Sequence, residues 1–139
     1  MSAEAGGPFG AVVVCDGRIV GRGQNQVTRS LDPTAHAEIT AIRNACQKLA
    51  RFELRGCDIY TSCEPCPMCL SAIYWARLDR IFYACTRSDA ASIGFDDEFI
   101  YGQIPLELAA RSIPMTRVAR ENALGVFQEW ASKPDRISY

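Results

Sequence analysis

Apolar and polar positions divide this chain into short, distinct elements. "GAVVVCDGRIVGRGQ" sets two apolar runs on either side of Asp16-Gly17. That dipeptide favours a two-residue turn with positive φ, so the segment predicts a hairpin of strands near 10–15 and 18–24. The polar stretch "NQVTRSLDPT" reads as a loop. From Ala35 to about Ala50 the apolar residues Ala37, Ile39, Ala41, Ile42, Ala45, Cys46 and Leu49 recur at helical spacing, and Pro33 and Thr34 suit the approach to that helix. "CDIYTS" (57–62) has the look of a buried strand, "CPMCLSAIYWAR" (66–77) a helix with a tolerated proline in its first turn, and "RIFYACT" (80–86) another strand. A strand, helix and strand in succession imply a right-handed crossover and a parallel pair. Beyond it the pattern predicts a short helix near 87–92, a loop at "GFDDEFIY", a helix near 105–111, a strand near 113–118 and a last helix near 119–132. The sum is an α/β protein: a mixed sheet with helices on its faces.

Composition narrows the class. At 139 residues, 48% hydrophobic and 22% charged, the chain reads as a single globular domain, 1–139. A formal net charge of −1 provides no overall positive field for a polyanion, so nucleic acid is not an expected partner. No stretch approaches the roughly 20 apolar residues that span a bilayer, and the N-terminus lacks an export signal, so the expectation is a cytoplasmic protein without a membrane partner. Seven cysteines, an odd number, then point to free thiols and metal ligation over a disulfide framework.

Three soft ligands stand out. His36, the only histidine, is expected just inside one helix, and Cys66 and Cys69, three apart, just inside another, so both sulfurs face one way. A helix N-terminus favours the thiolate that binds metal. One imidazole and two thiolates leave a tetrahedral Zn²⁺ with an open fourth position for water, which is the catalytic pattern. Glu38 follows His36 by two residues, a spacing that points to opposite sides of a regular helix. To serve the same site both must act from a frayed first turn. A carboxylate there could take the water's proton and deliver it to a leaving group. Blander readings stand beside these: a C-x-x-C redox pair, or a closed structural site with Cys63 as fourth ligand. Cys15, Cys46, Cys57 and Cys85 fit as small core residues, Trp75 as a core aromatic, Phe9 as the residue leading into a strand and Asn25 as a turn former.

"HAE" followed by "PCPMC" resembles the H-x-E…P-C-x-x-C signature of zinc-dependent nucleobase deaminases. The longer segments "GGPFGAVVV", "GQNQVTRSLDPTAHAEITAIRNAC", "YTSCEPCPMCLSAIYWAR" and "IGFDDEFIYGQI" resemble bacterial guanine deaminases of the cytidine-deaminase superfamily, from Gly6 to the terminus. That resemblance implies a three-layer α/β/α sandwich around a mixed five-stranded sheet of order 2-1-3-4-5. It implies one zinc per subunit on His36, Cys66 and Cys69 with water as fourth ligand, and Glu38 as proton shuttle. It implies Asp97 as a second catalytic carboxylate facing a 2-amino group, and Phe9, Asn25, Trp75 and Tyr139 as contacts to a purine base. The reaction it implies is hydrolysis of guanine to xanthine and ammonia, by a homodimer in which the C-terminal segment is exchanged between subunits in some relatives.

The alternatives are a guanosine or triazine deaminase, a transfer-RNA adenosine deaminase and, outside enzymes, a zinc-stabilised binding scaffold. Transfer-RNA deaminases share "DPTAHAE" and "EPCPMC" but lack the paired "GGPFGA" and "GFDD" segments, and their polyanionic substrate suits a basic surface. One departure is that relatives carry an amphipathic helix before "GGPFG", where this chain has Met1–Ala5 alone. That expectation favours self-association.

Overall fold

The computed structural model of the chain describes residues 6–95 and 97–139. Met1–Ala5, the segment read as standing where relatives carry an amphipathic helix, lie outside the described residues. The chain divides into two compact units, residues 1–100 and 101–139.

The first unit is built on a sheet of order β2-β1-β3-β4. β1 (Gly10–Cys15) and β2 (Arg18–Gln24) form the expected hairpin, antiparallel, with Asp16 at φ 49° and Gly17 at φ 71° supplying its two-residue turn. A register shift between Val13 and Val14 marks a bulge, Val13 facing Gly21 and Val14 facing Ile19. β3 (Cys57–Cys63) pairs antiparallel with β1, and β4 (Arg80–Cys85) pairs parallel with β3. The polar loop after β2 contains one helical turn, α1 (Val27–Ser30). α2 (Ala37–Leu49) follows, and α3 (Pro67–Trp75) is the crossover between β3 and β4.

Strand alternation fixes the core. On β3, Cys57, Ile59, Thr61 and Cys63 point inward, and Asp58, Tyr60 and Ser62 point outward. Val13, Ile59, Leu54 and Ile73 pack with Ala37, Ala41 and Ala45 of α2 beneath the helices. Each fully buried Val, Leu or Ile contributes roughly 1.5–3 kcal/mol. On the outer face Tyr60 and Phe82 stack at 4.6 Å, and Arg80 grips Asp58 with two bonds of 2.9 and 2.6 Å. α4 (Arg87–Ser92) starts with a reciprocal cap between Thr86 and Asp89.

From Glu98 onward the structure corrects the sequence reading. "GFDDEFIY" was expected as a loop, but its second half opens α5 (Glu98–Gln103). The helix expected near 105–111 is a single 3₁₀ turn, Leu108–Ala110. The strand expected at 113–118 does not form, so the described sheet has four strands in place of five, in the order expected for those four. Pro114 has no N–H to give a ladder, and Ile113 and Val118 are exposed. α6 (Arg120–Ser132) is the expected last helix, though none of its residues is buried. No helix among the described residues is long and apolar enough to cross a membrane.

Candidate metal centre and substrate pocket

Each ligand-bearing helix begins on its ligand. His36 is the N-cap of α2, with extended backbone (φ −69°, ψ 158°), and Cys66 is the N-cap of α3 (φ −65°, ψ 168°). This corrects the expectation that both lie just inside their helices. It also resolves the spacing of His36 and Glu38. The cap residue is not yet helical, so its side chain leaves in a direction that a helical residue two positions before Glu38 would not take. Pro67 occupies the first turn of α3, where no N–H is needed, and the Cys69 N–H donates to Cys66 Sγ at 3.5 Å.

His36 Nδ1 lies 3.5 Å from Cys66 Sγ and 3.5 Å from Cys69 Sγ. In tetrahedral coordination, bonds of about 2.3 Å to sulfur and about 2.0–2.1 Å to nitrogen put the two donors about 3.5 Å apart. Both imidazole–thiol distances therefore suit zinc, and the three ligand atoms, all within 4.8 Å of one another, form the metal-competent cluster found among the described residues. Cys63, the rival fourth ligand, is not in it; its thiol donates instead to the Thr86 carbonyl at 3.4 Å. The set is open on one side.

The electrostatics favour the same use. The Cys66 thiol is held down to about 4, first by the hydrogen bond from Cys69 and then by His36, while that bond and burial push Cys69 up. His36 is raised, chiefly by its bond with Cys66. Glu38, only 6% exposed, touches the cluster, with Cys69 Sγ donating to its Oε2 at 3.4 Å. Burial above all pushes its carboxyl above the ordinary value.

The centre opens on a cavity of about 470 Å³ lined by Phe9, Asn25, His36, Glu38, Cys66 and Asp97 among others, a size suited to a small ligand. Phe9 is braced edge-on by Phe95, ring centroids 4.8 Å apart. Asn25 Oδ1 accepts from the N–H groups of Gly7 (3.1 Å) and Val27 (3.2 Å). Its carbonyl is thereby occupied, so what the amide has for a ligand is its N–H donors. The sequence-read residues His36, Glu38, Cys66, Cys69, Phe9, Asn25 and Asp97 thus come together. Trp75 ends α3, 62% exposed with the Arg77 guanidinium 6.0 Å from its ring, and does not line this cavity. Tyr139 belongs to the second unit and is 77% exposed.

Sequence reasoning missed Phe95 and Thr61. Phe95 stood inside the quoted "GFDD" segment and gave that much signal. Thr61 gave none, being one β-branched residue of a strand. Its hydroxyl lies 3.3 Å from Glu38 Oε1 and 2.9 Å from the Cys63 carbonyl, and it has one hydrogen to share between them. Thr61→Val keeps the volume and removes this support. A hydrogen bond to a charged group is worth roughly 1.5–3 kcal/mol, so the rate is expected to fall about tenfold or more with zinc content unchanged. Unaltered turnover in Thr61→Val would deny Thr61 any part in orienting Glu38.

Comparisons with known proteins agree with this geometry. The cytidine and deoxycytidylate deaminase zinc-binding region matches residues 1–85. Guanine deaminase of Bacillus subtilis (strain 168) is 53% identical over 139 residues, 100% of this chain and 89% of that protein. An X-ray structure of guanine deaminase from Bacillus subtilis aligns with a TM-score of 0.94 at 54% identity, covering 99% of this chain and 87% of that one. A tRNA-specific adenosine deaminase of Agrobacterium fabrum is 49% identical over 76 residues, 55% of this chain and 50% of that protein. The chain belongs to the cytidine and deoxycytidylate deaminase zinc-binding family.

Proposed function

We propose that this enzyme hydrolyses guanine to xanthine and ammonia. The observation that carries the reading is one cavity holding an open His36–Cys66–Cys69 centre, the buried Glu38 beside it and an Asn25 amide turned to donate. A relative matched over 100% of this chain is a guanine deaminase, whereas a tRNA-specific adenosine deaminase matches 55% of it.

Bound zinc supplies a Lewis acid and a water acidified to a pKa of about 7. Glu38 takes one proton from the water that adds to C2 and gives it to ring N3; it then takes the remaining hydroxyl proton and passes it to the amine as the C2–N bond breaks, leaving the 2-oxo group and ammonia. A raised carboxyl suits a group that both accepts and returns a proton. Asp97, half-buried on the same cavity, accepts from the 2-amino group. Phe9 packs against the ring face, and Asn25 donates to the 6-oxo group, an acceptor that adenine lacks. Asn25→Asp would keep the two backbone bonds but remove both donors and set a negative charge beside that oxygen. The expected result is a KM for guanine raised about tenfold or more, with zinc retained. A KM within twofold of the parent enzyme would remove Asn25 from base recognition.

The same reading takes both units as one deaminase domain and the protein as a homodimer whose C-terminal segments are exchanged, bringing Trp75 and Tyr139 to bear on the substrate. Val126, Phe127 and Trp130 of α6 are exposed in the single chain, which suits a helix that packs in an assembly. Seven free cysteines, the two thiolate ligands among them, suit the reducing cytoplasm. The deciding experiment is ammonia release by zinc-loaded protein from guanine, guanosine, adenine, cytosine and ammeline. Guanine is expected to be turned over preferentially; turnover of another member without guanine would sink the assignment.

A further inference from the structure

A second group of thiols lies at the other end of β3 from the zinc ligands. Cys15 closes β1 and Cys57 opens β3, and the antiparallel register sets them directly opposite one another. Both point to the helix-covered face; Cys57 is fully buried and Cys15 half-buried against the core. Opposed residues on antiparallel strands have Cα atoms about 4.5–5.5 Å apart, inside the 4.4–6.8 Å range that a disulfide spans. A cation joins them: Arg51 Nη2 donates to Cys57 Sγ at 3.2 Å and to Cys15 Sγ at 3.6 Å, anchored by the Arg55 carbonyl at 3.2 Å. Cys15 is the less buried of the two, its thiol donating to the Gly56 carbonyl at 3.6 Å. Burial, and then Cys15 itself, push the Cys57 thiol up to about 11, which leaves Cys57 to act second.

We propose that Cys15, Cys57 and Arg51 form a peroxide-reactive dithiol, which hydrogen peroxide converts to a cross-strand disulfide and small thiols restore. Arg51 Nη2, 3.6 Å from Cys15 Sγ and 3.2 Å from Cys57 Sγ, holds the two sulfurs toward one another. The Cys15 sulfur attacks one peroxide oxygen; the O–O bond breaks, and hydroxide leaves with the thiol's proton as the first water. Cys57 sulfur then attacks the sulfenic sulfur, the S–O bond breaks, and the second water departs with the Cys57 proton. Two thiols lose two hydrogens and one peroxide becomes two waters. Closing the long loop between β1 and β3 constrains the unfolded chain, while the catalytic centre, at the far end of β3, is untouched. The device hardens the fold under oxidant without drawing on the zinc thiolates.

The test treats zinc-loaded full-length protein with stoichiometric hydrogen peroxide, blocks remaining thiols with N-ethylmaleimide and maps linked peptides without reduction. The expected product joins the Cys15 and Cys57 peptides, raises the thermal midpoint by about 5 °C or more, and reverses with dithiothreitol. Cys15→Ala is expected to abolish both the link and the rise. Arg51→Gln, an exposed change that spares the core, is expected to slow linkage about threefold or more. The proposal falls if the main link joins Cys63 to Cys85, which are also opposed across β3 and β4. It falls equally if Cys15 goes to sulfinic acid while Cys57 stays alkylatable, or if Arg51→Gln reacts at the parent rate.

Discussion

Glu38→Gln is expected to bind zinc normally and release almost no ammonia. Glutamine matches glutamate in size and still fills a site that is only 6% exposed. Its amide can meet Thr61 and Cys69, so the contacts of 3.3 and 3.4 Å that hold the side chain have counterparts. What it lacks is the power to carry a proton from water to the leaving group. Loss of a positioned general acid–base costs about 10²–10⁴-fold in rate. His36→Ala provides the contrast. It removes one of three soft donors, so metal content and activity are expected to fall together. Zinc by elemental analysis and ammonia by coupled assay separate the two outcomes. Turnover in Glu38→Gln within tenfold of the parent would move the proton work to another group.

The His36–Cys66–Cys69 ligand set was legible in the sequence because it rests on local spacing. A metal ligand at a helix cap, a proline in the first turn and a second ligand at i+3 all fall within a few residues, as do the Asp16-Gly17 turn and its flanking strands. The spacing of His36 and Glu38 was harder, because the periodicity that identifies α2 does not say where it starts. Only the extended backbone at His36 brings both residues to one site. Thr61 was invisible, since its role comes from the register of β3 beneath α2, a tertiary fact. Residues 104–118 misled for another reason. Ile113, Met115 and Val118 supply enough apolar positions to suggest a strand, but a strand also needs a pairing edge, and Pro114 has no N–H for its ladder. Trp75 and Tyr139 acquired roles from resemblance alone; Trp75 does not line the cavity, and Tyr139 belongs to the second unit.

Gly23→Ala is expected to be the most damaging small change in the sheet. A Cβ at Gly23 would stand 2.0 Å from the Ala37 carbonyl oxygen and 2.6 Å from Ala41 N, and one at Gly21 would stand 2.2 Å from the Ala41 oxygen. These neighbours are helix backbone, so no rotamer change can yield the space. β2 and α2 must instead move apart. Overpacking that side chains can absorb costs about 1–3 kcal/mol, and a clash with fixed backbone belongs at the upper end or beyond. At roughly 4–8 °C per kcal/mol for a unit of this size, the thermal midpoint should drop by about 10 °C or more. The damage should also reach the chemistry. Ala37 lies between His36 and Glu38, so a shift of α2 moves the imidazole off the two thiols and the carboxylate off its proton path. Zinc affinity and rate are expected to fall even where the variant remains folded. A midpoint within about 3 °C of the parent, the shift that roughly 1 kcal/mol or less would give, would show that the sheet and helix have slack that these contacts deny.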